Sequence, residues 1–306
     1  MPRDRLTPVP IPSRRGRTAI VTGATSGIGF ATAQALGRAG ASVVCAVRDP
    51  ERGAAALARL RAGDPAGDYR TEPLDTSSQA SVRAFAARWG DARVDILVNN
   101  AGIGAPRHRT LTPEGHELTL ATNYLGHFLL TALLLDNLRL SSRPRIVLLG
   151  SPMALVGRLD AADLELEHGY SPRRAYANSK LAMVMFAREL QRRSAAAEWG
   201  LNVHAVHPGY AATRMTGVDG RGPLRIGLAI AGSLRLAQSA ADGAQPAVFA
   251  AGSRQAVAGA YYGPVGRFGL TGPPGRVRLP KQARDAEACA ALWRASVTLT
   301  GAPFPG

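Results

Sequence analysis

Residues 22 to 29 read Thr22-Gly23-Ala24-Thr25-Ser26-Gly27-Ile28-Gly29, directly after a short apolar run and at the start of a helical pattern. Glycines in a strand-to-helix turn let the chain reverse tightly and bring backbone N–H groups up to an anion at the positive end of the helix. A pyrophosphate suits such a turn, which makes Gly23, Thr25, Ser26, Gly27, Ile28 and Gly29 candidate dinucleotide-binding positions. The spacing departs from the commoner G-x-G-x-x-G, and glycines in such a turn can also serve packing alone.

Outward from this turn, short apolar runs alternate with longer helical patterns, the signature of repeated βαβ units around a parallel sheet. Strands are expected at Ala19 to Thr22, Ser42 to Val47, Tyr69 to Leu74, Val94 to Asn99, Arg145 to Gly150 and Leu201 to His207. Helices are expected at about 27 to 39, 51 to 62, 78 to 89, 113 to 138 and 173 to 198. Pro50 and Pro113 suit first turns, and Gly40 and Gly200 suit helix ends. Residues 214 to 242 lack strand alternation and read as a loop and helix inserted after the sixth strand, beside the ligand crevice.

A dinucleotide with a free ribose 2′-hydroxyl asks for an acidic residue near the end of the second strand, about 20 residues beyond the turn. Here the chain runs Cys45-Ala46-Val47-Arg48-Asp49. Arg48 suits a 2′-phosphate through charge and bidentate hydrogen bonding, which favours NADP(H). NAD(H) stays open if Arg48 is merely one of many solvent-facing arginines and Asp49 takes the ribose.

Tyr176-Ala177-Asn178-Ser179-Lys180 lies on an expected helix, where residues four apart share a face. An ammonium beside a phenol favours phenolate and lowers the tyrosine pKa, giving a general acid/base. With 7 Tyr in 306 residues and lysine only at positions 180 and 281, chance would give a Tyr four before a Lys about 0.05 times.

T-G-x-x-x-G-x-G at 22 to 29, Asn99-Asn100-Ala101-Gly102, Tyr176-x-x-x-Lys180 and His207-Pro208-Gly209, in this order, resemble the short-chain dehydrogenase/reductase family over about residues 17 to 300. Asn123-Tyr124-Leu125-Gly126-His127-Phe128-Leu129-Leu130-Thr131 and Tyr176-x-x-Ser179-Lys180-Leu181-Ala182 are similar to its retinol-dehydrogenase-like and WW-domain-oxidoreductase-like branch, as is the gap between Ser151 and Tyr176.

The resemblance implies a catalytic tetrad. Asn123 would hold a helix irregularity and a proton-relay water, Ser151 would bind the substrate oxygen, Tyr176 would transfer the proton, and Lys180 would hold the nicotinamide ribose and tune Tyr176. It further implies that Asp75 contacts adenine, that Asn99, Ala101 and Gly102 line the adenosine side, and that Pro208, Gly209 and Thr213 meet the nicotinamide carboxamide. Read without it, Ser151 is a hydroxyl after a strand, Asn123 a helix amide, and Asp75 a loop cap. The fold expected is α/β: a Rossmann-type, doubly wound, mostly parallel seven-stranded sheet with helices on both faces, in one domain spanning 17 to 306 after a basic, proline-rich arm at 1 to 16. The activity expected is oxidoreduction of a carbonyl or alcohol, with a catalytically idle dinucleotide sensor as the alternative. Leu224, Ile226, Leu228 and Ile230 point to a hydrophobic small-molecule substrate, and relatives that pair through the helices carrying Asn123 and Tyr176 make a homodimer the expected assembly.

Composition excludes several other classes. With 46% hydrophobic and 19% charged residues the chain is neither disordered nor fibrous. Cys45 and Cys289 build no disulfide framework, which fits a reducing, cytoplasmic setting. The formal charge is +15, but the arginines are scattered and aromatics are only 6%, so no nucleic-acid partner is expected. No apolar run approaches about 18 residues, so no transmembrane helix is expected. His204 and His207, three apart on one strand, face opposite ways and cannot chelate one metal.

Overall fold

Strand β1 (Thr18–Thr22) takes the middle of the sheet because Ala19, Ile20 and Val21 are apolar and wholly buried on both faces. In the computed structural model, which describes residues 9–210 and 238–305, β1 pairs in parallel with β2 (Ser42–Val47) and with β4 (Ile96–Asn99). The sheet continues outward through β3 (Asp68–Pro73) on one side, and through β5 (Arg145–Leu149), β6 (Asn202–Val206) and β7 (Tyr261–Pro264) on the other. It has eight strands rather than seven. The eighth, β8 (Pro274–Arg276), is a three-residue antiparallel edge on β7. The strand order 3-2-1-4-5-6-7-8 reverses between β1 and β4, which opens a crevice at their carboxyl ends.

Alternate strand residues feed two cores. Ala19, Val21, Val43, Cys45 and Val206 pack under α1 (Gly27–Arg38), α2 (Pro50–Gly63) and α7 (Ala240–Gly252). Ile20, Val44, Leu97, Leu148 and Val203 pack under α3 (Gln79–Ala87), the α4 run, α5 (Leu135–Arg139) and α6 (Pro172–Ala196). The α4 run comprises Leu118–Leu120, a π turn over Ala121–Leu125, and Gly126–Leu133. It begins later than the sequence pattern suggests. Pro113 lies instead in the loop ahead of α4, which the Leu111–Glu117 bridge closes, and Glu117 caps the helix by accepting from Thr119 and Leu120 N–H.

The amino ends of the strands are tied by Asp95. Its buried carboxylate accepts from Arg17, Ser141 and the Thr18 N–H, and these bonds hold its pKa below the usual range although burial alone would raise it. Residues from Val9 onward lie on α7 rather than standing off as an arm. Val9 N–H donates to Gln245, Ile11 sits on Gly252, and Arg14 donates to the Gly252 carbonyl at the helix end. Of the expected 214 to 242 insertion, residues 214–237 lie outside the described residues, and its last three open α7.

A last helix, α8 (Ala286–Thr300), lies across α4 and α6. Trp293 meets Phe128 at 5.1 Å and Phe186 at 5.9 Å, and Phe304 closes the cluster at 4.4 Å from Trp293. The faces bearing Phe128 and Phe186, on the two helices through which a homodimer was expected to form, are thus covered by the chain's own carboxyl-terminal segment. Among the described residues no helix is long and apolar enough to cross a membrane.

The descent of α4 onto the loop after β3 depends on Gly126, where an added Cβ would stand 2.0 Å from the Thr76 carbonyl oxygen. Gly126→Ala is expected to cost about 2–3 kcal/mol through overpacking against backbone, read as a lower urea midpoint at unchanged slope.

Candidate active site

The turn between β1 and α1 is built for close approach. Gly23 and Gly27 have φ of +67° and +58°, in the left-handed region that glycine tolerates best. A Cβ on Gly29 would stand 2.4 Å from Asn100 Nδ2 and 2.6 Å from the Gly23 carbonyl oxygen. Ser26 occupies the N-cap of α1 yet makes no capping bond, whereas Asp49, Ser78, Ser171, Ser239 and Asp285 each cap their helices. The first-turn N–H groups of α1 therefore lack a side-chain acceptor, and a dinucleotide pyrophosphate fits them. Thr25 and exposed Ser26 flank the turn, while Ile28 is turned into the core and has only backbone to offer.

At the end of β2, Arg48 is exposed. Asp49, the rival partner for the ribose, caps α2 with Oδ1, which accepts from Glu51 N–H at 3.0 Å and Arg52 N–H at 3.1 Å, and keeps its second carboxylate oxygen. Asp75 likewise spends Oδ1 on the Ser77 N–H and hydroxyl, leaving one carboxylate oxygen for adenine. Asn99 does not reach the crevice. It is wholly buried and donates to Thr131 Oγ at 3.0 Å, tying β4 to α4. Its neighbour Asn100 does the work at the turn, with Nδ2 donating to the Thr22 carbonyl at 2.8 Å.

Lys180 and Tyr176 share a face of α6. The ammonium lies 5.9 Å from the Tyr176 ring centroid and donates to the Leu149 carbonyl at 3.2 Å. Burial without a carboxylate partner pushes Lys180 down to about 8. Burial also raises Tyr176 above the ordinary phenol value, and the nearby Ser151 hydroxyl offsets part of that rise. Burial is the largest influence on the Tyr176 phenol, so its net direction is upward rather than the expected lowering. Ser151, extended before Pro152 as that proline requires, also caps the following turn by accepting from Met153 N–H at 3.2 Å.

Asn123 sits inside the π turn, the irregularity expected of it. Its side chain is fully engaged: Oδ1 accepts from Ile103 N–H at 2.8 Å, and Nδ2 donates to the Ile103 carbonyl at 3.1 Å and to Ser179 Oγ at 3.0 Å. The amide is therefore a clamp between the loop after β4 and α6, not a group facing substrate. Gly102 makes room for it, since a Cβ there would stand 3.1 Å from Asn123 Oδ1 and 3.2 Å from Lys180 Nζ. Ala101 contributes its N–H to the Thr22 hydroxyl.

Past β6, Pro208 accepts from Gln238 and Gly209 has a φ of +65°. A Cβ on Gly209 would stand 2.2 Å from the Leu270 carbonyl oxygen, which fixes this turn against the loop after β7. Thr213 lies outside the described residues. His204 and His207 face opposite sides of the sheet, His204 beside Tyr262 and His207 beside Tyr261.

Reasoning from sequence singled out Tyr176, Lys180, Ser151 and Asn123, which the fold brings together, but not Thr22, Asn100, His127 or Ser179. All four lie inside quoted motifs, but nothing local marks their roles, because their meaning is the contact they make.

Comparison with known proteins agrees with this geometry. The short chain dehydrogenase family model matches residues 17–222. Human retinol dehydrogenase 13 is 37% identical over 99% of this chain and 91% of its own length. Mouse polyprenol dehydrogenase is 45% identical over 62% of this chain and 58% of its own. Among solved structures, an uncharacterised protein from Mycobacterium paratuberculosis is 38% identical with a TM-score of 0.81, covering 98% of this chain and 100% of that one. A protein from Beutenbergia cavernae, described as an NAD(P)-dependent gluconate 5-dehydrogenase with bound NADP, is 29% identical with a TM-score of 0.64 over 81% of this chain and 95% of its own. The turn at Gly23, the Tyr176–Lys180 pair and these likenesses lead to one conclusion: the chain is an oxidoreductase of the short-chain dehydrogenase/reductase family, similar to its retinol dehydrogenase-like branch.

Proposed function

We propose that the protein transfers hydride between NADP(H) and a hydrophobic carbonyl or alcohol, with Tyr176 as general acid/base. The observation that carries this reading is the convergence of Tyr176, Ser151 and the buried Lys180 ammonium at the carboxyl end of β5, with Lys180 5.9 Å from the Tyr176 ring centroid and bonded to the Leu149 carbonyl. Bound in the crevice, the nicotinamide supplies or accepts the hydride. In reduction, Tyr176 gives its proton to the substrate oxygen while the Ser151 hydroxyl donates a second hydrogen bond to the growing negative charge. Lys180 spends one donor on Leu149 and keeps two for the ribose and for a proton path. With Lys180 buried and Tyr176 half-buried, the pair acts where water screens charge less than in the open.

The NADP(H) preference rests on Arg48, exposed where the 2′-phosphate would lie. The hydrophobic substrate rests on apolar side chains left in solvent around the crevice: Leu155 and Val156, 60% and 53% exposed, follow Ser151, and Phe268, 78% exposed, stands on the loop that meets Gly209.

Turnover is expected in NADPH oxidation at 340 nm with retinal, steroid ketones, quinones or apolar aldehydes, exceeding that with small polar carbonyls. Tyr176→Phe is expected to abolish it while NADPH still binds; a variant as active as wild type removes Tyr176 from the chemistry. Arg48→Ala is expected to weaken NADPH binding about 10- to 100-fold, the range for a charged hydrogen bond, with NADH little changed. An unaltered NADPH-to-NADH ratio would return the ribose to Asp49.

Lys180 also predicts a trade between function and stability. Its folded pKa of about 8 lies below the unfolded value of 10.5, so the unfolded chain holds more protons between those limits and wild-type stability gains as pH rises through them. Lys180→Met is expected to lose activity, to be more stable at pH 7 by on the order of 3 kcal/mol, and to lack that rise. Urea titrations of both proteins without cofactor at pH 7 and pH 10 measure this.

A further inference from the structure

His127 lies one helical turn beyond Asn123, is wholly buried, and has no part in the chemistry above. Its ring makes two hydrogen bonds, Nδ1 to the Asn123 carbonyl oxygen at 3.1 Å and Nε2 to Thr22 Oγ at 3.0 Å. The protons on this set follow from donor and acceptor capacity. A carbonyl only accepts, so Nδ1 carries the hydrogen. Burial pushes the ring down to about 4, so it is neutral near pH 7 and Nε2 offers a lone pair. The Thr22 hydroxyl donates to that lone pair at 3.0 Å, the shorter of its two bonds, the other being to the Val98 carbonyl at 3.4 Å, and its oxygen accepts from Asn100 N–H and Ala101 N–H, both at 2.9 Å.

The ring therefore joins two parts of the site that no backbone bond connects. On one side is the end of β1, where Thr22 precedes the glycine turn and Asn100 grips the Thr22 carbonyl. On the other is the π turn, where Asn123 holds Ile103 and also Ser179, the residue before Lys180. We propose that His127 is a positioning residue, setting the depth of the dinucleotide turn through Thr22 and the placement of the Tyr176–Lys180 face through Asn123. This rests on the function proposed above.

The two ring nitrogens separate the two effects. In His127→Asn the amide reaches the place of Nδ1 and still donates to Asn123, but Thr22 is left with only the longer bond to the Val98 carbonyl, at 3.4 Å. NADPH Kd is expected to rise about tenfold with kcat at saturation within about twofold. In His127→Gln the amide reaches the place of Nε2, accepts from Thr22 and leaves Asn123 without its donor. Here kcat is expected to fall about tenfold with Kd within about twofold. Thr22→Val leaves His127 intact but also removes the acceptor of the Asn100 and Ala101 N–H groups, so NADPH Kd is expected to rise at least as far as in His127→Asn, and the double variant to be no worse than Thr22→Val alone. If His127→Asn does not fold, His127→Gln decides the matter by its fall in kcat at nearly unchanged Kd.

Fluorescence titration with NADPH, steady-state kinetics and thermal midpoints read all of this. Kd and kcat moving together in step with Tm in both ring variants, an additive double variant, or no change in either constant would each overturn the positioning role. A wild-type protein that binds no NADPH overturns the functional reading instead. If NADPH binds but no carbonyl is turned over, the Kd arms and the double-mutant cycle still test the link to Thr22.

Discussion

The carboxyl ends of β1 and β4 lie so close together that a Cβ on Gly23 would stand 2.8 Å from the Ala101 Cα. Parallel pairing brings the two strands side by side, but at this point the chains diverge, β1 into the glycine turn and β4 into the loop that reaches Asn123. Their ends have to be held by side chains instead. Thr22 and Asn100 supply the bonds, each satisfying backbone groups that would otherwise be buried without partners. The glycine turn, the clamp at Ile103 and the setting of α6 all take their position from this approach.

The site is costly to build. Lys180 is buried with a single carbonyl acceptor among the described residues, and Tyr176 is raised rather than lowered by its surroundings. Both costs fall where the reacting oxygen would sit, and both are carried by a large apolar frame. Phe128, Phe186, Trp293 and Phe304 pack edge to face or tilted, at 4.4 to 6.4 Å, across the helices that present the site. The frame is completed by α8, so rigidity that an assembly could supply through this face comes here from within one chain.

Asn123 changes meaning between sequence and structure. As a motif residue it stands in a catalytic set; in the fold its amide is consumed by Ile103 and Ser179, and its carbonyl takes the His127 ring. Its contribution is to hold the loop after β4 on α6. The π turn is what allows a single residue to reach both.

The strands from β1 to β6, the helices around them and the Tyr176–Lys180 pair were legible in the sequence because each depends on local spacing: apolar runs, glycines in a turn, residues four apart on a helix. Other elements were not. In α7, Pro246 and two glycines dilute any helical pattern, and β8 is Pro-Gly-Arg, a strand only because β7 offers it an edge. The cue to α8, Asp285 ahead of an alanine-rich run, is local, but what α8 covers is not. Sequence by itself determined the fold class, the family and the placing of Tyr176 and Lys180 on one helix face. The tertiary structure alone decided that Asp49 caps a helix, that Asn99 turns inward, and that Thr22 and His127, 105 residues apart, share a hydrogen bond. Spacing along a chain fixes which groups share an element, whereas the partner of a hydroxyl, amide or ring is set only when elements pack and buried polar atoms must find one another.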